Sequence, residues 1–454
     1  MKLQLPLTTF FKIAIFLNLI FISSASLKAQ SCLPNGVFFN NQASIDNFAT
    51  NYPGCTTIGG WVELNGFSDI TNLNGLLQIE EIQGNLLIQE SDNLIDLSGL
   101  DNLHTIGGFL KIAGNDDLTS FHGLENLSSI GSRLRIEYNI NLENITALSN
   151  LTVINNTLDV INNDNLLSFN GLENITTVFD EVYIENNDAL ENLNGLESLV
   201  SIGGRLLIAR NGSLLNLDGL NNLNSVGWEL SISENPALES LIGLELLATI
   251  DGSCLISSNN NLINISSLAN LTTVNGDFYF GSNFAITSLA GLEGLISING
   301  ILNMTSNFQL SNIEGIRNID ATTITNLNIN NNDLLSECAV KSVCDFLDIN
   351  PANTNIFFNN PGCETREEVE SACALGTEEN QISQIKIYPN PANNTFEISG
   401  LKEGIIEIID SQGRTVKQMV LNENNYSISE LSSGIYFVKI TSEKTSITKQ
   451  LIKT

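Results

Sequence analysis

The residues whose chemistry most clearly suggests a function are basic and aromatic side chains. They recur at outward positions of a repeating strand pattern. Arginine and aromatic side chains on a flat surface are typical of sites that bind protein or glycan. The candidate ligand face consists of Phe109, Lys111, Arg133, Arg135, Tyr183, Arg205, Leu207 and Tyr279, with Arg210 just beyond it. The alternative, favoured by the acidic surroundings, is that these cations only offset the charge of neighbouring carboxylates.

Catalytic groups are scarce in the sequence. The chain has two histidines, His104 and His122, and both stand in columns otherwise filled by Thr, Ser, Asn and similar residues, which predicts solvated surface positions. No glycine-rich phosphate loop, zinc signature or serine nucleophile elbow occurs. The sequence therefore predicts a non-enzymatic protein without a cofactor or a bound metal.

Two alternatives compete with a binding role. A polysaccharide lyase or hydrolase would need a basic residue and carboxylates in a groove lengthened by loops. A strict repeat without insertions offers no such loop. A purely structural surface spacer would need no binding face at all.

The charge of the chain is strongly asymmetric. Of 454 residues, 19 are Lys or Arg and 50 are Asp or Glu, which gives a net charge of −31. Residues 30–380 hold 8 basic and 43 acidic residues, whereas residues 381–454 hold 8 and 7. A body with this charge repels nucleic acid and anionic membrane surfaces, so no nucleic acid partner is expected.

A 24-residue period organises most of the chain. Leu or Ile recurs without insertion at positions 70, 94, 118, 142, 166, 190, 214, 238, 262, 286 and 310. Each repeat contains an L-x-I pair, such as Leu134 and Ile136, which predicts a short strand with one buried face. So short a strand is stable only when it stacks on the same strand of neighbouring coils. Cys254 stands in this inward column and is predicted to be a small buried hydrophobe.

Asn and Gly form further columns of the repeat. Asn occupies positions 115, 139, 163, 187, 211, 235, 259, 283 and 307. Its amide is expected to bond backbone groups in the turn that ends each strand. One column, which includes Gly107 and Gly203, predicts left-handed turn residues. A second column, which includes Gly123 and Gly219, predicts close packing between coils.

The N-terminal segment is predicted to be a processing signal. Residues 1–29 match a signal peptide with cleavage after Ala29. The alternative of a lipoprotein lipidated at Cys32 fits the usual motif poorly. The sequence therefore predicts an exported protein, in which disulfides are expected.

Both ends of the repeats are predicted to carry caps, at residues 30–57 and 336–376. Short helices are expected in the second cap, one of them with a capping box from Thr365 to Glu368. Cysteine spacing predicts one disulfide in the first cap and two in the second. The first would join Cys32 to Cys55; the other four allow three pairings, of which Cys338–Cys363 with Cys344–Cys373 is favoured.

The repeat pattern over residues 58–335 resembles leucine-rich repeats and, more closely, the receptor L-domain family. The shared features are the L-x-I-x-x-N and L-x-G-L spacings. The resemblance implies a right-handed parallel β-solenoid and says nothing of the ligand.

After a polar linker at 377–384, residues 385–454 read as alternating strands of a small Ig-like β-sandwich. They resemble the type A C-terminal sorting domain of type IX secretion cargo. The residues that carry this resemblance are Tyr388, Pro389, Asn390, Pro391, Asp410 to Gly413, Gly434, Ile435, Tyr436 and Lys449 to Lys453. The resemblance implies contact with the secretion machinery, removal of the domain, and release or attachment to lipopolysaccharide. The alternative is an ordinary Ig-like appendage.

The sequence thus predicts a mainly β protein: a parallel β-solenoid of 24-residue coils with small disulfide-bonded helical caps, followed by a β-sandwich. Its expected location is the cell surface or the medium. Its expected function is binding or adhesion, with an extracellular protein or glycan as ligand.

Overall fold

The computed structural model describes residues 31–399, 403–421, 425–441 and 446–454. The predicted signal peptide, residues 1–29, lies outside the described residues, so its cleavage stays a prediction. The chain divides into two units, Met1–Val274 and Asn275–Thr454. Among the helices of the described ranges, none is long and apolar enough to cross a membrane.

In the first unit, successive repeats each add a strand to one parallel sheet, here called the broad sheet. From Val62 onward, these strands pair in register at a separation of 24 residues, so that Leu134 lies between Leu110 and Leu158. The strands are Val37–Phe39, Val62–Leu64, Leu86–Gln89, Leu110–Ala113, Leu134–Glu137, Leu158–Ile161, Val182–Glu185, Leu206–Ala209, Leu230–Ser233 and Cys254–Ser257. Leu134 and Ile136 are fully buried, which confirms the predicted stack of short strands.

A second series of two-residue strands accompanies the broad sheet and is absent from the sequence prediction. Five of them form one parallel sheet: Ser31–Cys32, Thr57–Ile58, Glu81–Ile82, Thr105–Ile106 and Ser129–Ile130. Five more pair in the same way: Thr177–Val178, Ser201–Ile202, Ser225–Val226, Thr249–Ile250 and Thr273–Val274. Two residues are too few to show the alternation by which strands are recognised in a sequence.

The interior of each coil is filled by apolar side chains at a three-residue spacing. In one coil, these are Leu190, Leu193, Leu196, Leu199 and Ile202, all of them buried. Full burial of one such side chain contributes about 1.5–3 kcal/mol. The free thiol of Cys254 lies in the same interior, and burial raises its pKa to about 12. This confirms the prediction that Cys254 packs as a hydrophobe.

The Asn column forms a buried ladder of hydrogen bonds between coils. Asn187 Nδ2 donates to the carbonyl of Val160 at 2.9 Å and to that of Glu185 at 3.0 Å. Its Oδ1 accepts the backbone N–H of Asn163 at 3.1 Å, and its own backbone N–H donates to Asn211 Oδ1 at 3.1 Å. The predicted role of the column is confirmed, and the bonds join successive coils as well as closing each turn.

The first Gly column has a role other than the one predicted, whereas the second shows the predicted close packing between coils and a positive φ in addition. Gly203, in the column expected to be left-handed, does not have a positive φ. Glycine is required at this position because a Cβ there would lie 2.1 Å from the backbone oxygen of Phe179. Gly219, in the other column, has φ +113° and would place a Cβ 2.1 Å from Leu193 O. In the same column, Ala147 lies in the 3-10 helix Thr146–Leu148, and Gly315 lies in the 3-10 helix Glu314–Ile316.

Two short helices cover the N-terminal end of the first unit. Helix α1 spans Gln42–Asp46 and helix α2 spans Phe48–Asn51. Ile45 of α1 and Phe48 of α2 are fully buried, and the two helices thereby shield the apolar end of the stack. The disulfide between Cys32 and Cys55, with Cα atoms 5.8 Å apart, ties this cap together as predicted.

The second unit begins with further coils of the same type. Its parallel strands are Phe278–Gly281, Ile301–Thr305, Asn326–Asn330 and Thr354–Phe357, with a two-residue strand at Ser297–Ile298. The Asn ladder continues here through Asn307 to Asn332 and Asn359, at separations of 25 and 27 residues. The longer separations place these two Asn residues outside the 24-residue column, so the sequence prediction misses them.

The C-terminal cap contains two helices and two disulfides. Helix α3 spans Lys341–Ile349 and helix α4 spans Arg366–Gln384. The disulfides join Cys338 to Cys363 and Cys344 to Cys373, which is the favoured pairing. In the 3-10 conformation are Asn74–Leu76, Thr146–Leu148, Ser266–Leu268, Glu314–Ile316, Ala321–Thr323 and Pro351–Asn353.

Helix α4 departs from the sequence prediction at its end. Its start agrees, because the backbone N–H of Glu368 donates to Thr365 Oγ1 at 3.3 Å. The Glu368 carboxylate reaches back to the backbone N–H groups of Gly362 and Glu364 instead of that of Thr365. The helix then continues through residues 377–384, the segment predicted to be a short polar linker. Polar residues are compatible with an exposed helix, so composition alone does not separate the two.

The C-terminal domain is an antiparallel sandwich of two sheets. The three-stranded sheet contains Lys386–Tyr388, Thr395–Ser399 and Tyr426–Ser427. The four-stranded sheet contains Gly404–Asp410, Thr415–Leu421, Gly434–Thr441 and Ser446–Lys453. Between them lies a core that includes Phe396, Ile406, Ile408, Val438 and Leu451, all fully buried. The predicted sandwich is confirmed.

Candidate ligand face

The outward face of the broad sheet holds most of the predicted ligand face. Strand pairing places Lys111, Arg135 and Asp159 side by side on three successive strands. Strands in such a sheet are about 4.8 Å apart, so each charge meets the charge of the next coil at short range. Opposite charges in adjacent positions stabilise the row, and like charges destabilise it.

Lys111, Arg133 and Arg135 form an ion-pair network with two acidic residues that sequence analysis does not single out. Glu137 is contacted by Lys111 Nζ at 3.2 Å and by Arg135 Nε at 2.6 Å. Asp159 Oδ2 lies 3.1 Å from Arg133 Nε and 3.9 Å from Arg135 Nε. The side chains of Glu137 and Asp159 are only 7% and 4% exposed, whereas the arginines are more than a third exposed.

Burial dominates the electrostatics of Asp159. Loss of hydration raises the pKa of its carboxyl group, and the charges of Arg133 and Arg135 offset this effect only in part. The basic side chains of this cluster are engaged with carboxylates of the protein, which is the arrangement that charge compensation predicts. Ligand binding by these cations stays a prediction.

Tyr183 and Leu207 continue the same face on the following strands. Tyr183 pairs with Asp159 on one side and with Leu207 on the other. Its hydroxyl donates to Glu181 Oε2 at 2.6 Å. Burial, together with this bond to a carboxylate, raises the pKa of Tyr183 to about 12. At neutral pH the residue therefore presents an uncharged ring in a fixed orientation.

Arg205 links this face to an aromatic residue that sequence analysis misses. Its guanidinium carbon lies 5.3 Å from the centroid of the Trp228 ring, within the range of a cation–π contact. Arg205 Nη2 also lies 3.3 Å from Glu229 Oε1. Trp228 remains 54% exposed, and Phe179, two coils earlier, is 61% exposed. Both rings are large apolar groups that remain more than half exposed.

Both rings have a sequence signal that could have found them. Phe179 stands in a column that holds Gly203 and Gly227 in the next two coils, and Trp228 stands in the column of Gly204. A large aromatic residue in a column of small residues is not required for packing between coils. The two rings therefore flank a stretch of coil without large side chains.

Other members of the predicted face lie outside this cluster. Phe109 is half-buried and immediately precedes the strand Leu110–Ala113, at the position that Arg133 occupies one coil later. Tyr279 belongs to the second unit, and a Cβ added at Gly281 would lie 2.7 Å from its ring. Arg210 lies 3.1 Å from the carboxylates of Glu185 and Glu234.

The two histidines are exposed, as predicted. His122 Nδ1 lies 2.6 Å from Glu125 Oε1. This hydrogen bond to a carboxylate raises the pKa of His122. His104 Nδ1 lies 3.0 Å from Thr105 Oγ1. Both contacts are local surface interactions.

In the sandwich, residues of the predicted sorting motif hold the domain together. Asn390 Oδ1 accepts the backbone N–H of Ile452 at 2.9 Å, and Asn390 Nδ2 donates to the carbonyl of Gln450 at 2.7 Å. The segment Tyr388, Pro389, Asn390, Pro391 thereby anchors the last strand of the four-stranded sheet.

The other motif residues also make internal contacts. Asp410 Oδ1 accepts the backbone N–H groups of Arg414 and Gln412 at 3.0 and 2.9 Å, and these bonds lower the pKa of Asp410. The hydroxyl of Tyr436, which is 7% exposed, donates to the carbonyl of Ser432 at 2.9 Å. The motif therefore acts largely on the fold of the domain.

Two family models match the chain in different regions. The model described as receptor L domain matches residues 54–113, within the coils of the first unit. The model described as secretion system C-terminal sorting domain matches residues 386–454, the sandwich. A comparison with curated proteins gives no match. The chain thus joins receptor L-domain repeats to a type IX secretion system C-terminal sorting domain, and it is a protein exported to the cell surface or the medium.

Proposed function

We propose that the repeats form a non-enzymatic recognition module, which binds an extracellular protein or glycan and so supports adhesion. The observation that carries the proposal is the exposed Trp228 ring in contact with Arg205, two coils along the stack from the exposed Phe179. Trp, Tyr and Arg are the residues most enriched at binding hot spots. Burial of rings of this size against a bound partner would remove apolar surface from water and so contribute free energy of binding.

The surroundings of the rings restrict the chemistry of the ligand. Glu181 and Glu229 lie beside Tyr183 and Arg205, and residues 30–380 carry a net charge of −35. A polyanionic ligand would be repelled at this surface. An uncharged glycan or a basic protein segment fits it better, with apolar ring or aliphatic surface against Trp228.

The same proposal includes the fate of the protein after export. The sorting-domain match supports delivery by the type IX machinery. Removal of the sandwich and attachment of the repeats to lipopolysaccharide would then hold the binding face on the cell surface, where adhesion requires it.

The experiment is a screen of the full-length chain on glycan and protein arrays. We expect the double variant Phe179→Ala/Trp228→Ala to reduce binding at least tenfold. The matched control is Leu167→Ala/Ile263→Ala, which removes two apolar side chains that are each 61% exposed and lie away from the two rings in the repeat. Binding retained by the aromatic variant would contradict the proposed site.

Other outcomes separate the competing functions. Loss of binding in Arg133→Ala/Arg135→Ala alone would move the site to the ion-pair network. No binding by the folded chain would favour a structural spacer. Cleavage of an arrayed polysaccharide would favour the enzymatic alternative.

A further inference from the structure

We propose that the outward face of the four-stranded sheet in the sandwich is the docking surface for a protein of the secretion machinery. This inference goes beyond ligand binding by the repeats and does not depend on it. A two-sheet sandwich normally alternates apolar residues inward with polar residues outward. The inward side follows this rule, since Ile406, Ile408 and Val438 are fully buried.

The outward side breaks the rule. At one end of the sheet, Ile435 pairs with Ile452 on the adjacent strand and lies two residues from Phe437. At the other end, Ile405 pairs with Val420. We call the exposed apolar residues of this face the outer patch. They are 37–60% exposed and comprise Ile405, Val416, Val420, Ile435, Phe437 and Ile452. The paired Glu407 and Lys439 separate the two ends, so the outer patch consists of two exposed apolar clusters bordered by polar residues, an arrangement that marks interaction sites.

The polar groups of three motif residues are engaged within the domain, whereas the side chain of Tyr388 is 48% exposed. Asn390, Asp410 and Tyr436 make the internal hydrogen bonds described above. A partner that recognises the folded domain must contact exposed side chains. Among the motif residues Gly434, Ile435 and Tyr436, Ile435 is the one that lies in the outer patch. The motif residues thus build the sheet, and the outer patch presents a surface.

Area favours a transient protein partner over a second copy of this chain. Six partly exposed side chains of this size present apolar surface on the order of 500 Å². Two such faces together would bury roughly 1,000 Å², which is less than stable dimers need and typical of transient encounters. A transient contact suits cargo that must bind a carrier and then leave it.

Charge disfavours a lipid surface as the occupant. Residues 381–454 carry 8 basic and 7 acidic residues, so the domain has almost no net charge. On the outward face itself, Lys439 Nζ lies 3.6 Å from Glu407 Oε2, so its charge is compensated. Binding to anionic headgroups requires a cluster of unpaired basic side chains beside the apolar surface. An uncharged apolar groove on a protein fits the outer patch better.

The test is export of the full-length chain from the producing bacterium. The variant Ile435→Thr/Phe437→Thr/Ile452→Thr removes apolar surface and retains residues that favour strands. We expect at least fivefold less chain outside the cell and a matching accumulation of precursor in the periplasm. The control Gln418→Thr, at the exposed position of the same face paired with Glu407 and outside the sorting motif, should be exported at the wild-type level.

Further variants separate docking from folding. The variant Ile435→Val/Phe437→Leu/Ile452→Val keeps the face apolar and should be exported normally, and the purified threonine variant should resist protease like the wild type. Wild-type export of the threonine variant would overturn the proposal. The proposal would also be overturned if the Val/Leu variant accumulated inside the cell as much as the threonine variant, or if the threonine variant were sensitive to protease. Either result would show that these residues stabilise the domain. Dimerisation of the wild type through this face, with export of the threonine variant unchanged, would assign them to self-association.

Discussion

The broad sheet of the first unit and the four-stranded sheet of the sandwich bury their inward faces alike, but their outward faces differ. On the broad sheet, Lys111, Arg135 and Asp159 occupy equivalent positions of successive coils, and the two cations are compensated by Glu137 and Asp159. On the outward face of the four-stranded sheet, Ile435 and Ile452 pair across adjacent strands and are exposed to solvent. A parallel in-register stack brings equivalent positions together, so its surface chemistry is constrained coil by coil. Cross-strand neighbours also interact in the antiparallel sheet, as Glu407 and Lys439 do, and the exposed apolar pairs of the same face are the reason to expect a partner there.

Polar bonding differs between the two regions in the same way. Each buried Asn of the repeats is bonded to the coils before and after it, as Asn187 is. Asn390 of the sandwich makes one exposed clamp on one strand. Removal of either side chain tests whether an Asn that bonds to two neighbouring coils contributes more stability than one that bonds to a single strand.

The largest effect is expected from Asn187→Ala. The change leaves the carbonyls of Val160 and Glu185 and the N–H of Asn163 without their partner inside the core. At about 1–3 kcal/mol for each unpaired group, we expect a loss of about 3–5 kcal/mol. Both tryptophans of the chain lie in the first unit, so their fluorescence in urea reports the unfolding of that unit.

The control for this prediction is Asn165→Ala. Asn165 is exposed and donates only to Asn141 Oδ1, at 3.3 Å. Its removal should change stability by less than about 0.5 kcal/mol. Equal midpoints for the two variants would contradict a structural role of the ladder.

A smaller effect is expected from Asn390→Ala. Water can reach the freed N–H of Ile452 and carbonyl of Gln450, so the loss should be about 1–2 kcal/mol. Hydrogen exchange at the amide of Ile452 should become faster, while the fluorescence midpoint of the first unit stays unchanged. Unchanged exchange at Ile452 would show that the clamp does not hold the last strand.

The fold could be predicted from the sequence wherever one residue type fits one slot. The inward pair Leu134 and Ile136 and the buried Asn column are such cases. The roles of the two Gly columns could not be separated, because Gly meets both a positive φ, as at Gly219, and a close backbone approach, as at Gly203. Composition shows that Gly is needed but not for which reason.

The surface sites were less predictable for a related reason. The outward cations were placed correctly, but their partners Glu137 and Asp159 were indistinguishable among 43 acidic residues of the body. The outer patch was missed because strands that are apolar on both faces, such as Gly434–Thr441, resemble fully buried strands in sequence. Whether the second face is covered is settled only by the tertiary structure.

The smallest effect is expected at the ion-pair network, through the pH dependence of Asp159. Burial raises the pKa of this carboxyl in the folded chain above its unfolded value of about 3.9. The folded state therefore favours the protonated group, and stability from this group falls as pH rises from the unfolded to the folded pKa. Asp159→Asn removes that dependence. Because the arginine partners are more than a third exposed, the change should be about 1 kcal/mol or less.

The measurement compares urea midpoints of wild type and Asp159→Asn, by tryptophan fluorescence, between about pH 4 and pH 7. The variant should gain stability relative to wild type as the pH rises. Asp164→Asn, in an exposed turn, accounts for the loss of one negative charge. If wild type instead gained on the variant with rising pH, the Arg133 and Arg135 charges would outweigh burial. The network would then stabilise the broad sheet, and its cations would be still less available to a ligand.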